Sequence, residues 1–598
     1  MDFYLEGDFI LLSQELLTPC PEDALSSFEE LRQTLTDLDL SQVLCLIDPR
    51  MDEKAAASFA GRYFSSSSEE IAERSAFLKD LSVLTDAASL QQGIDAIDQL
   101  DAENQKASIA ATRFQSVLYR WRRLAAYRKV VLSFCRILSP KGDTKDPAGN
   151  AAFSASSKRF QALADYFLSL REAPFFTALE EALEALDQAL VLPRYIQLGF
   201  NMREDGYPQE MGIIAAEGHI DLRKTDFAAD DASLDDSEIP LNALLSFDDP
   251  KEPSKGLGPE FIYNRSLYGS HFDEYIEHAA EKQWKGEIGR AEKILDRLQP
   301  KGEKLKELDT LLSLREPLSF YQIGLLSIEA FSSRGYQLCI PQPLPDTPLV
   351  IREALYPDFI LQHEGIRGND LTLKRGNAVI ITGANHSGKT SYLKTIGQCT
   401  ALAQLGFFVP AKEMVFTPVT HIFTLFSAGE DSSMNASRMG LEVKKLTTIL
   451  KKATSKDLIL LNEPMTSTNP VEAVSICADM TRHFLEENIT HLLVTHLYDI
   501  YFLLKAELKP ELLKRLDSLV TESSYDPSTG QMVHAYKLYY HEPLGNSYAR
   551  ETATAYGITL EDMIASGDLL QEARSYVDSH NIDSIYEGGE ADGISDNH

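Results

Sequence analysis

Eight consecutive residues, Gly383-Ala384-Asn385-His386-Ser387-Gly388-Lys389-Thr390, have the spacing of a phosphate-binding loop, with glycine first and sixth, then lysine and a hydroxyl residue. Glycines let the main chain curl until successive N–H groups point at phosphate oxygens. Lys389 brings charge to the β and γ phosphates, and Thr390 offers a hydroxyl to Mg²⁺. The helix expected from Ser391 to Leu405 adds its positive end to the same place. ATP with Mg²⁺ is the ligand this chemistry implies.

A second group lies in DLILLNEPMTSTNP. Glu463 stands where a carboxylate polarises the attacking water and helps hold the metal. Asn462 occupies the position at which phosphate-loop proteins usually carry a metal-assisting Asp. Asn still accepts a hydrogen bond from a metal-bound water but brings no charge, so slow turnover is expected. A third group, HLLVTHLYDI, delivers Thr495-His496 at the carboxyl end of an apolar run, where His496 can sense or stabilise a γ-phosphate. Catalytic roles are therefore expected for Lys389, Glu463 and His496.

These residues need strands behind them. The apolar runs Ala378–Thr382, Leu458–Leu461 and Thr490–Thr495 supply three, and from about Ile340 such runs alternate with helical patterns. That order predicts an α/β domain, a parallel sheet flanked by helices. Before it the chain reads as mainly α, with apolar residues recurring at three and four residue steps from Leu25 to about Arg136. Leu179, Leu183, Leu186 and Leu190 continue the pattern as a short helix-packing seam, and two more helices are expected between about Asp273 and Leu314, ending near Arg315-Glu316-Pro317. Between Tyr195 and His219 the texture becomes extended, with Asp205-Gly206 as a hairpin turn. An acidic excursion follows from Phe227 to about Pro259.

The chain has 598 residues and a formal net charge of −33, from 57 Lys plus Arg against 90 Asp plus Glu. Such a balance opposes non-specific adhesion to nucleic acid or anionic membrane. The most basic short stretch, LYRWRRLAAYRKVV, reads in two ways: a helix face with Trp121 and Tyr127 packed inward, or a phosphate-contacting patch using Arg120, Arg122 and Arg123. Six scattered cysteines and an N-terminus without a basic head and apolar run predict reduced thiols and a cytoplasmic address. No apolar run approaches the length of a membrane span.

The second half resembles the MutS family of DNA mismatch repair proteins. TGANHSGKTSYLKTIGQ resembles the family's phosphate loop and following helix, LGFFVPAKE its short Phe-Val-Pro-Ala link, and THIFTLFSAGEDSS its Ile-Phe-Thr-Arg-Ile-Gly-Ala segment. NASRMGLEVKKLTTIL resembles the signature region, placing Ser437 and Glu442 at the motif's Ser and Glu, and YYHEPLGNSYARETATAYGIT resembles the end of the domain. The resemblance implies an ABC-type P-loop ATPase domain joined to a helical lever. It also implies a homodimer through the ATPase domains in which Ser437 acts in trans on the partner's γ-phosphate, and a double-stranded or branched DNA partner. The expected division is an N-terminal helical segment over 1–60, a lever and core with hairpin and acidic insertion over 61–335, the ATPase domain over 336–565, and a C-terminal helix and acidic tail over 566–598.

Family members that read mismatches carry an N-terminal module with a wedge Phe and a Glu two residues later. No room for it precedes the lever helices, and Phe28-Glu29-Glu30 lies in an amphipathic stretch, so wedge-type reading is not expected. Two alternatives stay open: a nucleotide switch acting on a protein or ribonucleoprotein partner, and a scaffold that holds ATP while hydrolysing it weakly. The LSGG signature and long heptad arms of chromosome-maintenance ATPases are absent from the sequence.

Overall fold

In the computed structural model the described residues are 34–110, 112–139, 154–190, 195–202, 208–217, 281–300, 305, 307–363, 365–426, 435–526 and 531–543. They divide into two compact units, one formed by the described residues of 73–329, the other by those of 34–72 and 330–543. Helices α1 (Leu40–Ile47) and α2 (Glu53–Tyr63) thus fold with the C-terminal half, although the pattern of the sequence suggested a segment of their own.

The first unit is mainly helical. It takes up the helix α3 (Ser68–Leu84) from Glu73 and continues through α4 (Ala87–Ser108), α5 (Arg113–Ile137), α6 (Lys158–Glu172) and α7 (Pro174–Ala189). A capping box starts α5, the Thr112 hydroxyl accepting from Gln115 N–H while Gln115 returns to the Thr112 N–H. Phe134 and Ile137 of α5 crowd Gly93 of α4 so closely that a Cβ there would meet both at 2.9 Å. Trp121 and Tyr127 are buried, as are Leu179, Leu183, Leu186 and Leu190. The antiparallel strands β1 (Tyr195–Met202) and β2 (Pro208–Glu217) form the expected hairpin; Asp205-Gly206 and the acidic excursion lie outside the described residues.

Helices α8 (Lys285–Leu298) and α9 (Leu308–Ser313) follow, then α10 (Arg315–Ser332). The second of these, α9, ends at Ser313, as expected, but Arg315-Glu316-Pro317 also opens a helix that the sequence reading did not include. Pro317 sits in the first turn, where backbone N–H groups have no intrahelical acceptor and a proline removes nothing.

The second unit carries two sheets. Short β3 (Gln342–Pro343) and β4 (Leu349–Ala354) are followed by the helical turn α11 (Pro357–Ile360), β5 (Asn369–Leu373) and β6 (Ala378–Thr382). After β6 come α12 (Lys389–Leu405), β7 (Glu413–Phe416), β8 (Ile422–Phe426), α13 (Asn435–Lys452) and β9 (Leu458–Asn462). The chain continues through α14 (Pro470–Glu486), β10 (Thr490–Val494), α15 (Asp499–Glu507), α16 (Pro510–Leu513), β11 (Leu516–Asp526) and β12 (Gln531–Tyr540). The larger sheet has the order β12-β11-β6-β10-β9-β8, parallel except for the β11/β12 pair, and the smaller has the order β3-β7-β4-β5. Strands β6 and β10 are buried at every residue, which explains why they read as unbroken apolar runs. No described helix is long and apolar enough to cross a membrane.

Candidate functional site

The site grows from the carboxyl ends of β6 and β9. Gly383 leaves β6 at φ 143°, and a Cβ there would fall 1.9 Å from Thr521 Oγ1, so β11 approaches the loop as only glycine permits. His386 and Gly388 also have positive φ, 62° and 91°. This winding brings the chain into α12 at Lys389. The Lys389 ammonium, its side chain buried, donates to the carbonyls of Gly383 at 2.9 Å and Ala384 at 2.7 Å. Burial lowers the Lys389 pKa, while the neighbouring Glu463 carboxylate pulls it back up. Ser387 donates to Ala384 O at 2.6 Å and accepts from Thr521 Oγ1 at 2.7 Å, so β11 holds the loop by a buried hydroxyl pair.

At the end of β9, Asn462 Oδ1 accepts the Thr390 hydroxyl at 2.8 Å. Glu463 then turns through φ 49° with its N–H on Val494 O at 2.8 Å, and Met465 adopts φ 63°. Two non-glycine residues in the left-handed region within three positions store strain that the surroundings must offset. Glu442 of α13 supplies part of that support. Its carboxylate accepts Met465 N–H at 2.6 Å and the Ser467 hydroxyl at 3.4 Å. The loop that presents Glu463 is therefore held by the helix beginning at Asn435.

A cleft of about 1210 Å³ opens on these residues. One wall is the loop, through Asn385, His386, Gly388, Lys389, Thr390 and Ser391, together with Glu463. The same cleft is lined by Tyr356, Phe359, Ile366, Arg367, His534 and Tyr536. The register of β12 breaks here, Tyr536 adopting φ 52°, and His534, Ala535 and Tyr536 all line the cleft. Asn369 fixes that strand, donating to Tyr536 O at 3.0 Å and accepting Leu538 N–H at 3.1 Å. Burial and the nearby His386 and Lys389 push the His534 pKa down.

The oxygens of Thr390, Asn462 and Glu463 form a hard donor set suited to Mg²⁺. With the curled loop, buried ammonium and helix start, the arrangement suits a polyphosphate–metal complex, and the aromatic lining suits a flat ring. His496 lies just past the carboxyl end of a parallel strand, as the sequence predicts. It follows β10 on the surface and is not among the cleft's lining residues. Ser437 falls in the first turn of α13, and its side chain lies outside the described residues.

Arg120, Arg122 and Arg123 are committed inside the first unit. Arg120 is buried, bonded to Asp296 at 2.8 Å and to Gln299 O at 2.5 Å. Arg122 pairs with buried Glu103 at 3.0 Å, and Arg123 donates to Asn104 and Gln299. Burial and the adjacent Arg120 charge lower the Arg123 pKa. These arginines join α5 to α4 and α8 within the first unit. Arg128 joins Glu180 in the same way.

Comparison with known proteins places the second unit. The family profile described as MutS domain V matches residues 379–560. MutS protein homolog 4 of Homo sapiens is 34% identical over 154 residues, 25% of this chain and 16% of that protein. The DNA mismatch repair protein MutS of Chlorobium phaeovibrioides is 28% identical over 249 residues, 41% of this chain and 28% of its own length. Its counterpart in Chlorobium phaeobacteroides is 28% identical over 255 residues. The matched stretch spans less than a third of any of these relatives.

Proposed function

We propose that this chain, a member of the MutS family, binds ATP with Mg²⁺ beside Gly383–Thr390, hydrolyses it, and uses the nucleotide state to switch a DNA-holding clamp in repair or recombination. The observation that carries this reading is convergence in one cleft. Lys389, Thr390 and Glu463, from two different strand ends, line the same space, with Asn462 bonded to Thr390 behind them.

The roles follow from chemistry. Main-chain N–H groups and the start of α12 hold phosphate oxygens, with Lys389 leaving its loop carbonyls to meet them. Thr390, Asn462 through a water, and Glu463 would hold Mg²⁺, which would neutralise phosphate charge. Glu463 orients and accepts a proton from the attacking water. The fold class is a P-loop sheet of ABC type, and a second copy of the chain supplies Ser437 to the partner's nucleotide. His496 stays a candidate phosphate sensor only if the site closes around it.

Phosphate release by the purified chain tests the proposal. Loss of release in Lys389→Ala and Glu463→Gln is expected, and equal rates in either variant would exclude this cleft as the active site. DNA retention is measured at several salt concentrations with and without ATP, and no retention at low salt would remove the clamp. A second reading, a switch acting on a protein partner, is favoured by the −33 charge and by the internal commitment of Arg120, Arg122 and Arg123. Partners captured after nuclease treatment would support it.

A further inference from the structure

Residues Thr34 to Asp39, ahead of α1, lie against the helix that carries the phosphate loop. Thr34 donates its hydroxyl to Ile422 O at 2.6 Å, and Asp37 accepts from the Thr424 hydroxyl at 2.8 Å, both on the edge strand β8. Leu38 is fully buried, and its carbonyl accepts from Gln398 Nε2 at 2.6 Å. Its methyl groups fill the space over Gly397, where an added Cβ would meet one of them at 2.5 Å. Asp39 ends the segment in the left-handed region, φ 54°, which aspartate enters more readily than most side chains.

Asp39 is a junction. Its carboxylate forms a half-buried ion pair with Lys394, four residues and one helical turn beyond Thr390 on the same face of α12. The same Oδ2 accepts the Tyr356 hydroxyl at 3.4 Å, and Tyr356 lines the cleft. Lys394 in turn lies 5.7 Å above the ring of Phe426, the last residue of β8 before the segment leading to α13. One carboxylate thus touches the loop helix and Tyr356 in the cleft lining, and through Lys394 reaches the approach to α13.

We infer that Thr34–Asp39 is a positioning strap for the nucleotide site, with Asp39 and Lys394 as its positioning residues. The inference rests on the reading of the cleft as an ATP site. The strap sets the distance between loop helix and Tyr356 wall, and removing either charge lets the two drift.

The sign of the effect separates positioning from simple electrostatics. Through space, the Asp39 charge repels a triphosphate and the Lys394 charge attracts it, so neutralising Asp39 would tighten binding and neutralising Lys394 would loosen it. Positioning requires both to loosen it. Asp39→Asn is suitable because asparagine tolerates the left-handed region, and Lys394→Met keeps the aliphatic stem.

The test is binding of a fluorescent ATP analogue with Mg²⁺ to the full chain, alongside nucleotide-free melting. Each single variant should weaken binding about fivefold to tenfold, or roughly 1 kcal/mol, with melting unchanged. The double variant should be no worse than either single, and Lys394→Arg should bind as wild type. Tighter or unchanged binding by Asp39→Asn would overturn the strap, as would losses that track a lowered melting temperature. A wild-type chain that binds no analogue would instead overturn the ATP-site reading, and the strap with it.

Discussion

Thr390 donates its hydroxyl to Asn462 Oδ1 at 2.8 Å, joining the last residue of the phosphate loop to the end of β9. Both groups are oxygen donors for a cation, yet neither carries charge. Asn462→Asp should lower the Mg²⁺ concentration for half-maximal phosphate release about threefold to tenfold, because a charged acceptor strengthens the same contact. A magnesium titration of the two proteins checks it, and an unchanged midpoint counts against metal binding at this pair.

Glu442 offers a second test. Its carboxylate secures Met465 and Ser467 behind the strained Glu463. Glu442→Ala should reduce stability by about 1–2 kcal/mol, the value of a charge-assisted bond to a partly exposed loop. Turnover should fall further than that loss explains, with KM nearly unchanged, as expected for a residue that holds the water-orienting group. Steady-state kinetics beside a denaturant melt separates the two effects.

Thr521 has a smaller job. Its hydroxyl bonds Ser387 while its bulk excludes any side chain at Gly383. Thr521→Val keeps the bulk and loses the bond, so nucleotide affinity should drop by about 1 kcal/mol. Gly383→Ala should abolish binding, since the backbone conformation and the 1.9 Å approach both oppose a methyl group. Calorimetric titration with ATP and Mg²⁺ measures each.

His491 gives a pH dependence. It is fully buried beside Phe484, and burial pushes its pKa down to about 4 against an ordinary value of 6.5, with the Ile489 carbonyl opposing the shift. Between those values the unfolded chain takes up a proton that the folded chain refuses. Stability should therefore decline as pH falls from 6.5 towards 4, by up to about 3 kcal/mol from this residue, and be insensitive to it above pH 7. Melting curves of wild type and His491→Leu across that window should converge as the pH drops. Parallel curves would contradict the assignment.

Arg120→Ala should destabilise the first unit by about 1–3 kcal/mol, less than for a wholly buried pair because Asp296 keeps 43% exposure. Any DNA retention should keep its salt dependence, because the side chain already has protein partners. A shallower salt slope would identify Arg120 as a phosphate contact.

Legibility followed the distance over which each residue acts. The loop, its strand and its helix were readable because their signals are local, an apolar run followed by a fixed spacing. The task of Glu442 was not, since its acceptors serve groups more than twenty residues away across a turn. His534 and Tyr536 reach the cleft because β12 pairs with β11 and breaks register at Tyr536, an irregularity that the residue pattern does not announce. The arginine stretch was ambiguous because pattern alone does not reveal that Asp296 and Gln299 lie opposite Arg120 and Arg123. Likewise, α1 and α2 look like any amphipathic helices, and their grouping with the far half depends on Leu38 and Gly397 meeting.

That grouping governs the order of events on the ribosome. Residues 34–72 emerge early, but their partners, such as the carbonyl of Ile422, lie up to 388 positions downstream. The intervening helical unit can finish folding while this early stretch is still waiting, its apolar side chains unshielded. Closing so long a span makes completion of the second unit a late step of maturation.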